Sequence, residues 1–444
     1  MDPFDLVIRN TSEVVTCDGP TGPDAIATLA VIPNGAIGIA GGKIAWLGPD
    51  AELPKEALGP ETETLDARGS FAGPGFVDPH THLIFGGERS AEFELRCQGK
   101  SYLQIAEAGG GIASTVKATR AAKERELTYA AMPRAVALLS HGVTTAEVKS
   151  GYGLDLDTEL KMLRAIKQLN GLQAVRLVGT VLPLHALPPE HKDSREAYVK
   201  FCIDELLPKV AAEKLARFCD AFVEQSAFTA DEVRQLMKRA RELGFIPRLH
   251  VDQLTAGRAG AELAAELGCA SADHLEQISP EGIAALARTN TVAVLAPTST
   301  LFARAKPYAP GRALRDAGVT VALCTNCNPG SSMSENAALV MGLACLENGL
   351  TPAEAYLGFT RSAAAALAMP ELGRLFVGGP ADVVVYQCRS FRQLPYHLGV
   401  SEVRHVLKDG LVAFEFGRVV TKLGGIVAQH GRIVGLPGSA SGTN

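Results

Sequence analysis

Residues 218–254 read FCDAFVEQSAFTADEVRQLMKRARELGFIPRLHVDQL. A short apolar segment, Phe218–Gln225, gives way to a stretch of helical character over Thr229–Leu243, then to a second short apolar segment, Ile246–Leu254. Thr229, two residues ahead of Asp231, is a suitable helix cap. A short buried strand, a helix and another short strand form the repeating unit of a parallel α/β fold.

Working outward from this unit, the same alternation recurs in both directions. Strands are expected at Gly75–Leu83, Val143–Lys149, Ala174–Leu184, Phe218–Gln225, Ile246–Leu254, Ser271–Ile278, Thr291–Thr298 and Val319–Thr325. Helical stretches follow them over Arg120–Ser140, Asp157–Leu169, Glu190–Val210, Thr229–Leu243, Gly257–Leu267, Pro280–Ala287, Gly311–Ala317 and Ser334–Asn348. Eight repeats predict an α/β fold of the (β/α)8 TIM-barrel type. The first and last seventy or so residues instead carry β-branched, alternating segments between Gly, Pro and Asn turns, such as Ala36–Ala40 and Asp382–Tyr386. They predict a small β-sandwich-like domain built from both chain ends, residues 1–72 and 373–444, interrupted by a barrel over 73–372.

Composition narrows the function classes. Of 444 residues 47% are hydrophobic and 20% charged, which suits a large core and excludes a disordered chain. The net charge of −5 comes with no basic block, so nucleic acid and anionic membranes are not expected partners. The longest uncharged run, Ala25–Gly42, is broken by Pro33, Asn34, Gly35 and Gly38 and reads as strand and turn, not as a membrane span. No signal peptide is evident at Met1-Asp-Pro-Phe-Asp5, and nine scattered cysteines suit a reducing, cytoplasmic location. Cys324 and Cys327 form a lone C-x-x-C and are read as small residues at a strand end.

A barrel of this kind carries its active site at the C-terminal ends of its strands. Five of the ten histidines fall there: His80, His82, His185, His250 and His274. Residues i and i+2 of a strand face one side, so His80 and His82 converge, and two imidazoles aimed at one point suit Zn2+ or iron. His250 is the natural third ligand, leaving one position open for water.

The segment Pro74-Gly-Phe-Val-Asp-Pro-His-Thr-His82 resembles the opening motif of the amidohydrolase superfamily. Within it, Ile84–Phe93, Ala108–Ile112, Thr144–Leu154, Ser271–Leu275 and Asn328–Ser332 resemble the imidazolonepropionase family, over nearly the whole chain. The resemblance implies a metal-dependent hydrolase opening 4-imidazolone-5-propanoate to N-formimidoyl-L-glutamate in histidine degradation, with one Zn2+ or Fe3+ ion per chain and a homodimeric assembly. It makes His80, His82 and His250 metal ligands, with Asn326 at the fourth metal-site position. It places Arg89, Tyr152, His185, Gln253, Asn328, Gly330 and Ser331 around the substrate, and Gln253, His274 and Asn326 at the reacting atoms. Arg89 offers a planar fork for a carboxylate arm, and Tyr152 and His185 are expected to add donors. Glu224 is either an outer support of the site or an ordinary hydrogen-bonded loop residue.

The family carries Asp where this chain has Asn326. A carboxylate there would take a proton from water and pass it to the leaving ring nitrogen, and an amide cannot. An engineered inactive form, a natural non-catalytic relative, and transfer of the proton work to His274 all fit this substitution. Two other readings stand beside the first: a non-catalytic binder of the imidazolone or its product, and an amidohydrolase acting on another cyclic amide or amidine. A binuclear centre bridged by a carbamylated lysine is disfavoured, because Phe218–Gln225 contains no lysine.

Overall fold

The computed structural model describes residues 3–100, 104, 110–420, 426–429 and 432–433. Ala108 and Gly109 of the glycine-rich motif, and the Gly/Ser tail after Pro437, lie outside the described residues. Eight barrel strands run in chain order: Phe76–Asp78, Val143–Lys149, Arg176–Leu184, Phe218–Val223, Leu249–Val251, Ser271–His274, Val292–Leu295 and Val321–Leu323. Each pairs in parallel with the next, as a βα repeat requires. Helices cover the outside. The helix Ala230–Glu242 begins with Thr229 accepting from the Glu232 amide while the Glu232 carboxylate accepts from the Thr229 amide. It buries Val233, Leu236, Met237 and Ala240, a stripe at helical spacing.

Most expected elements differ by a few residues at their ends; strand five is split into Ile246–Pro247 and Leu249–Val251, and the strand expected over Thr291–Thr298 stops at Leu295, where Pro297 opens a helix, Pro297–Phe302. Three further differences follow. The stretch Arg120–Ser140 is two helices, Ile112–Ala121 and Glu124–Ser140, because Ala122 is extended and the Glu126 carboxylate caps the Lys123 amide. The helix expected from Glu190 starts at Arg195, after a short 3-10 turn at Pro189–His191. Strand one ends at Asp78, so His80 and His82 lie beyond the regular ladder. Their backbone is nevertheless held on both sides. The Asn326 amide donates to His80 O (3.1 Å) and the His82 amide to Cys327 O (2.9 Å), while Lys149 donates its amide to Thr81 O (2.9 Å). Alternate residues thus bond to opposite neighbours, which preserves the strand alternation and joins the chain after strand eight to the chain after strand one.

Both chain ends meet in one sheet. Val383–Val385 pair antiparallel with Ala72–Pro74, and Val14 beside Ala72 extends the sheet to the N-terminal strand Glu13–Val15. A second sheet contains Leu6–Arg9, Gly35–Ala40, Lys43–Pro49 and Glu63–Asp66. Leu6, Ile8, Ile37 and Ile39 of that sheet pack against Val14, Val383, Val385 and Leu407 of the first, forming the sandwich core.

Candidate metal centre and active site

Strand five carries His250, strand six ends on His274, and the segment after strand one supplies His80 and His82. All four are buried. His82 Nε2 lies 3.3 Å from His80 Nε2 and 3.4 Å from His250 Nε2. Nitrogens bound at ~2.0–2.1 Å around a tetrahedral ion are separated by about 3.4 Å, so this spacing fits one. Ligand atoms of His80, His250 and His274 also lie within 4.8 Å of one another and could hold a metal ion. Burial pushes His80, His82 and His250 below the usual imidazole range, keeping them neutral as metal ligation requires. His82 Nδ1 and Asn326 Oδ1 are buried with no hydrogen-bond partner among the described residues. Such residual valence is consistent with a site completed by an ion and its ligands.

Sequence reasoning missed the side chains beneath these rings. Asp273 Oδ2 lies 2.7 Å from His80 Nδ1, and Asp220 Oδ2 lies 3.0 Å from His250 Nδ1. Lys149 Nζ is 2.8 Å from Asp220 Oδ2 and 2.9 Å from Glu147 Oε1. Burial opposes its charge, but Asp220 and Glu147 outweigh burial and raise its pKa, so it is an ammonium. The available signal was a charged residue inside a short apolar strand, a position that only a partner across the barrel makes tenable.

Tyr152 and His185 adjoin the imidazoles through ring contacts. The His185 ring stacks on His82 with centroids 5.3 Å apart, and Tyr152 lies 5.7 Å from His82 and 5.3 Å from His185. The Glu159 carboxylate accepts from the amides of Gly151, Gly153 and Leu154, which fixes the Tyr152 loop. Gly151 has φ +99°, and a Cβ there would sit 2.9 Å from Leu182 O and 3.0 Å from His185 Nδ1, so the turn needs glycine. One expectation changes. His185 Nδ1 donates to Gly151 O at 2.9 Å, and burial lowers its pKa to about 4. Neutral His185 therefore presents Nε2 to a ligand as an acceptor, not a donor.

Arg89 lies in a second group. Its Nε donates to Glu92 Oε2 at 2.7 Å, and Nη2 is 2.6 Å from the same oxygen. Glu92 Oε1 in turn accepts from Gly111 N and Ser114 Oγ, both at 3.0 Å. The guanidinium is thus already oriented through one edge. Asn328 Oδ1 accepts from the amides of Gly330 and Ser331 at 2.8 Å, and its Nδ2 donates to Asn326 O at 2.6 Å. This turn links the Arg89 group to the imidazoles. Gln253 is half-buried on the loop after strand five. Glu224 accepts from the amides of Gln225, Leu254 and Thr255, which makes it the brace of that loop. Cys324 and Cys327 are separate buried thiols whose pKa values burial raises far above the usual range.

The model of the amidohydrolase family matches residues 106–414. An imidazolonepropionase of Myxococcus xanthus is 61% identical over 93% of this chain and 98% of its own length. The chain belongs to the imidazolonepropionase family. A second member, from Symbiobacterium thermophilum, is 44% identical over 94% of this chain and 99% of its own. Among solved structures, E. coli guanine deaminase superposes with a TM-score of 0.69 at 16% identity, covering 92% of this chain and 99% of that one, which shows the shared fold. As an imidazolonepropionase family member the chain is a hydrolase of a cyclic C–N bond, in a superfamily that is metal-dependent. Family membership removes the reading as an amidohydrolase of a different ring system. Among the described residues no helix is long and apolar enough to cross a membrane.

Proposed function

We propose that the chain opens the ring of 4-imidazolone-5-propanoate to N-formimidoyl-L-glutamate, with one ion, Zn2+ or Fe3+, held by His80, His82 and His250 and Asn326 beside them. The observation that best supports this assignment of ligands is the 3.3 and 3.4 Å spacing of three imidazole nitrogens. When bound, the ion supplies Lewis acidity and lowers the pKa of a bound water to about 7.

The chain's own groups do the rest. Arg89, held by Glu92 through Nε and Nη2, turns its remaining edge to the propanoate carboxylate. His185 Nε2 accepts from a ring N–H, and Tyr152 walls the ring against His82. Asn328, Gly330 and Ser331 shape the carboxylate end, and Gln253 hydrogen-bonds the ring without acting as a base. Hydrolysis adds one water across the ring C–N bond, so one proton must pass from that water to the leaving nitrogen. Asn326 cannot carry it, and His274, 5.4 Å from His80 and His250 between ring centroids, is the nearby imidazole left for the task. Turnover is therefore slow while binding is retained.

In this reading residues 73–372 are the catalytic barrel and 1–72 with 373–444 its companion domain, in a cytoplasmic homodimer whose nine cysteines are free. An assay on imidazolone propanoate with metal content measured on the same sample tests it. Asn326 favours one second reading, a protein that binds substrate or product without turnover, and this reading takes over if metal-loaded protein binds product but never hydrolyses substrate.

A further inference from the structure

Five ionisable side chains lie below the imidazoles with no solvent exposure: Glu147, Lys149, Asp220, Arg248 and Asp273. They come from strands two, four and six and from the residue just before strand five, and meet only inside the barrel. Lys149 Nζ bridges Glu147 and Asp220 and stands 3.9 Å from Asp273 Oδ2. Arg248 Nη2 reaches the same Asp273 oxygen at 3.0 Å and Pro79 O at 2.6 Å, the carbonyl directly preceding His80. One ammonium and one guanidinium thus brace two carboxylates, and each carboxylate faces the Nδ1 of a different histidine. Anchoring at Nδ1 leaves Nε2 of both rings for the cluster with His82.

Stability does not explain this arrangement. Buried charge networks repay their desolvation poorly, and apolar residues of equal volume often do as well. A role in holding geometry does explain it. Two cations against three carboxylates also leave a formal charge of −1 beneath a ligand set that has an amide, not a carboxylate, at position 326. A negative floor favours a cation above it.

We propose that Lys149 is a positioning residue of the metal centre: it holds Asp220 against His250 and, together with Arg248, holds Asp273 against His80, so that both rings keep the orientation an ion requires. The inference rests on the reading that His80, His82 and His250 hold that ion.

The test uses the full chain. Zn2+ affinity is measured by chelator competition and the visible spectrum of the Co2+-substituted protein is recorded, for the parent, for Lys149→Met and for the double variant Lys149→Met/Asp220→Asn. The double variant removes the Lys149–Asp220 pair at nearly constant volume; because Asp220 itself faces His250, it is compared with Asp220→Asn alone, and an equal affinity in the two overturns the role of Lys149 if the single Lys149 variant does not fold. Near-ultraviolet circular dichroism reports folding. The expected result is roughly 10–100-fold weaker Zn2+ binding and a changed Co2+ spectrum in folded variant protein. A folded variant with parental affinity and spectrum overturns the role of Lys149 and leaves the metal reading standing. A parent that binds no ion overturns the metal reading, and the proposal falls with it.

Discussion

The backbone amide of Asn326 donates to the carbonyl of His80 across 3.1 Å. Position 326 is therefore set against the imidazole cluster by the main chain, whatever its side chain. Its φ of +49° is one that Asn and Asp tolerate better than most residues. Asn326→Asp should leave fold and melting temperature nearly unchanged, because the side chains are close to isosteric. It should raise turnover by at least about 100-fold, the range general acid–base help supplies. Both forms are assayed at pH 7 with equal metal loading. A fast parent that gains nothing would overturn the slow turnover proposed for this chain and would mean that His274 moves the proton without help from position 326.

His82 sits between two imidazoles, with its Nε2 at 3.3 and 3.4 Å from theirs. His82→Ala removes one of three close nitrogens. Metal analysis should return one ion per chain for the parent and a large loss for the variant. Two ions in the parent would contradict the single-ion reading.

A Cβ at Gly330 would lie 2.4 Å from Arg89 Nη1. Gly330→Ala must displace the guanidinium from the edge left open by Glu92, and should weaken product binding without altering metal content. Arg89→Ala should cost on the order of 1.5–3 kcal/mol of product affinity, as expected for a lost charge-assisted pair. Arg89→Lys should recover little of it, because a point charge does not replace a fork. Calorimetric titration with product distinguishes these outcomes, and unchanged affinity in Arg89→Ala would place the carboxylate elsewhere.

Burial lowers His185 and His141 to about 4, from an ordinary value of 6.5. Between those values the unfolded chain binds protons that the folded chain refuses, so stability rises with pH across this window. The contribution is fully present above pH 6.5 and is lost as pH falls toward 4. Urea midpoints of metal-free protein should therefore drop between pH 6.5 and 4.5, with buried His80, His82 and His250 adding to the drop, and His185→Asn should reduce that slope. A flat profile in the parent would mean that these rings are hydrated and titrate normally.

The barrel was legible because hydrophobic periodicity is local: Phe218–Val223, Ala230–Glu242 and Leu249–Val251 each declare themselves within their own few residues. The convergence of His80 and His82 was legible for the same reason, since alternation persists past Asp78 even though the ladder does not. Spacing within one segment cannot report what faces it from another. That Lys149 meets Asp220, that Glu92 occupies one edge of Arg89, and that Gly151 O takes the Nδ1 proton of His185 depend on strand register and loop closure across the barrel. Read singly, Lys149, Asp220, Arg248 and Asp273 are polar residues in apolar strands, costly to bury alone. Tertiary structure alone makes them tenable, by bringing opposite charges within 2.8–3.0 Å where water is excluded.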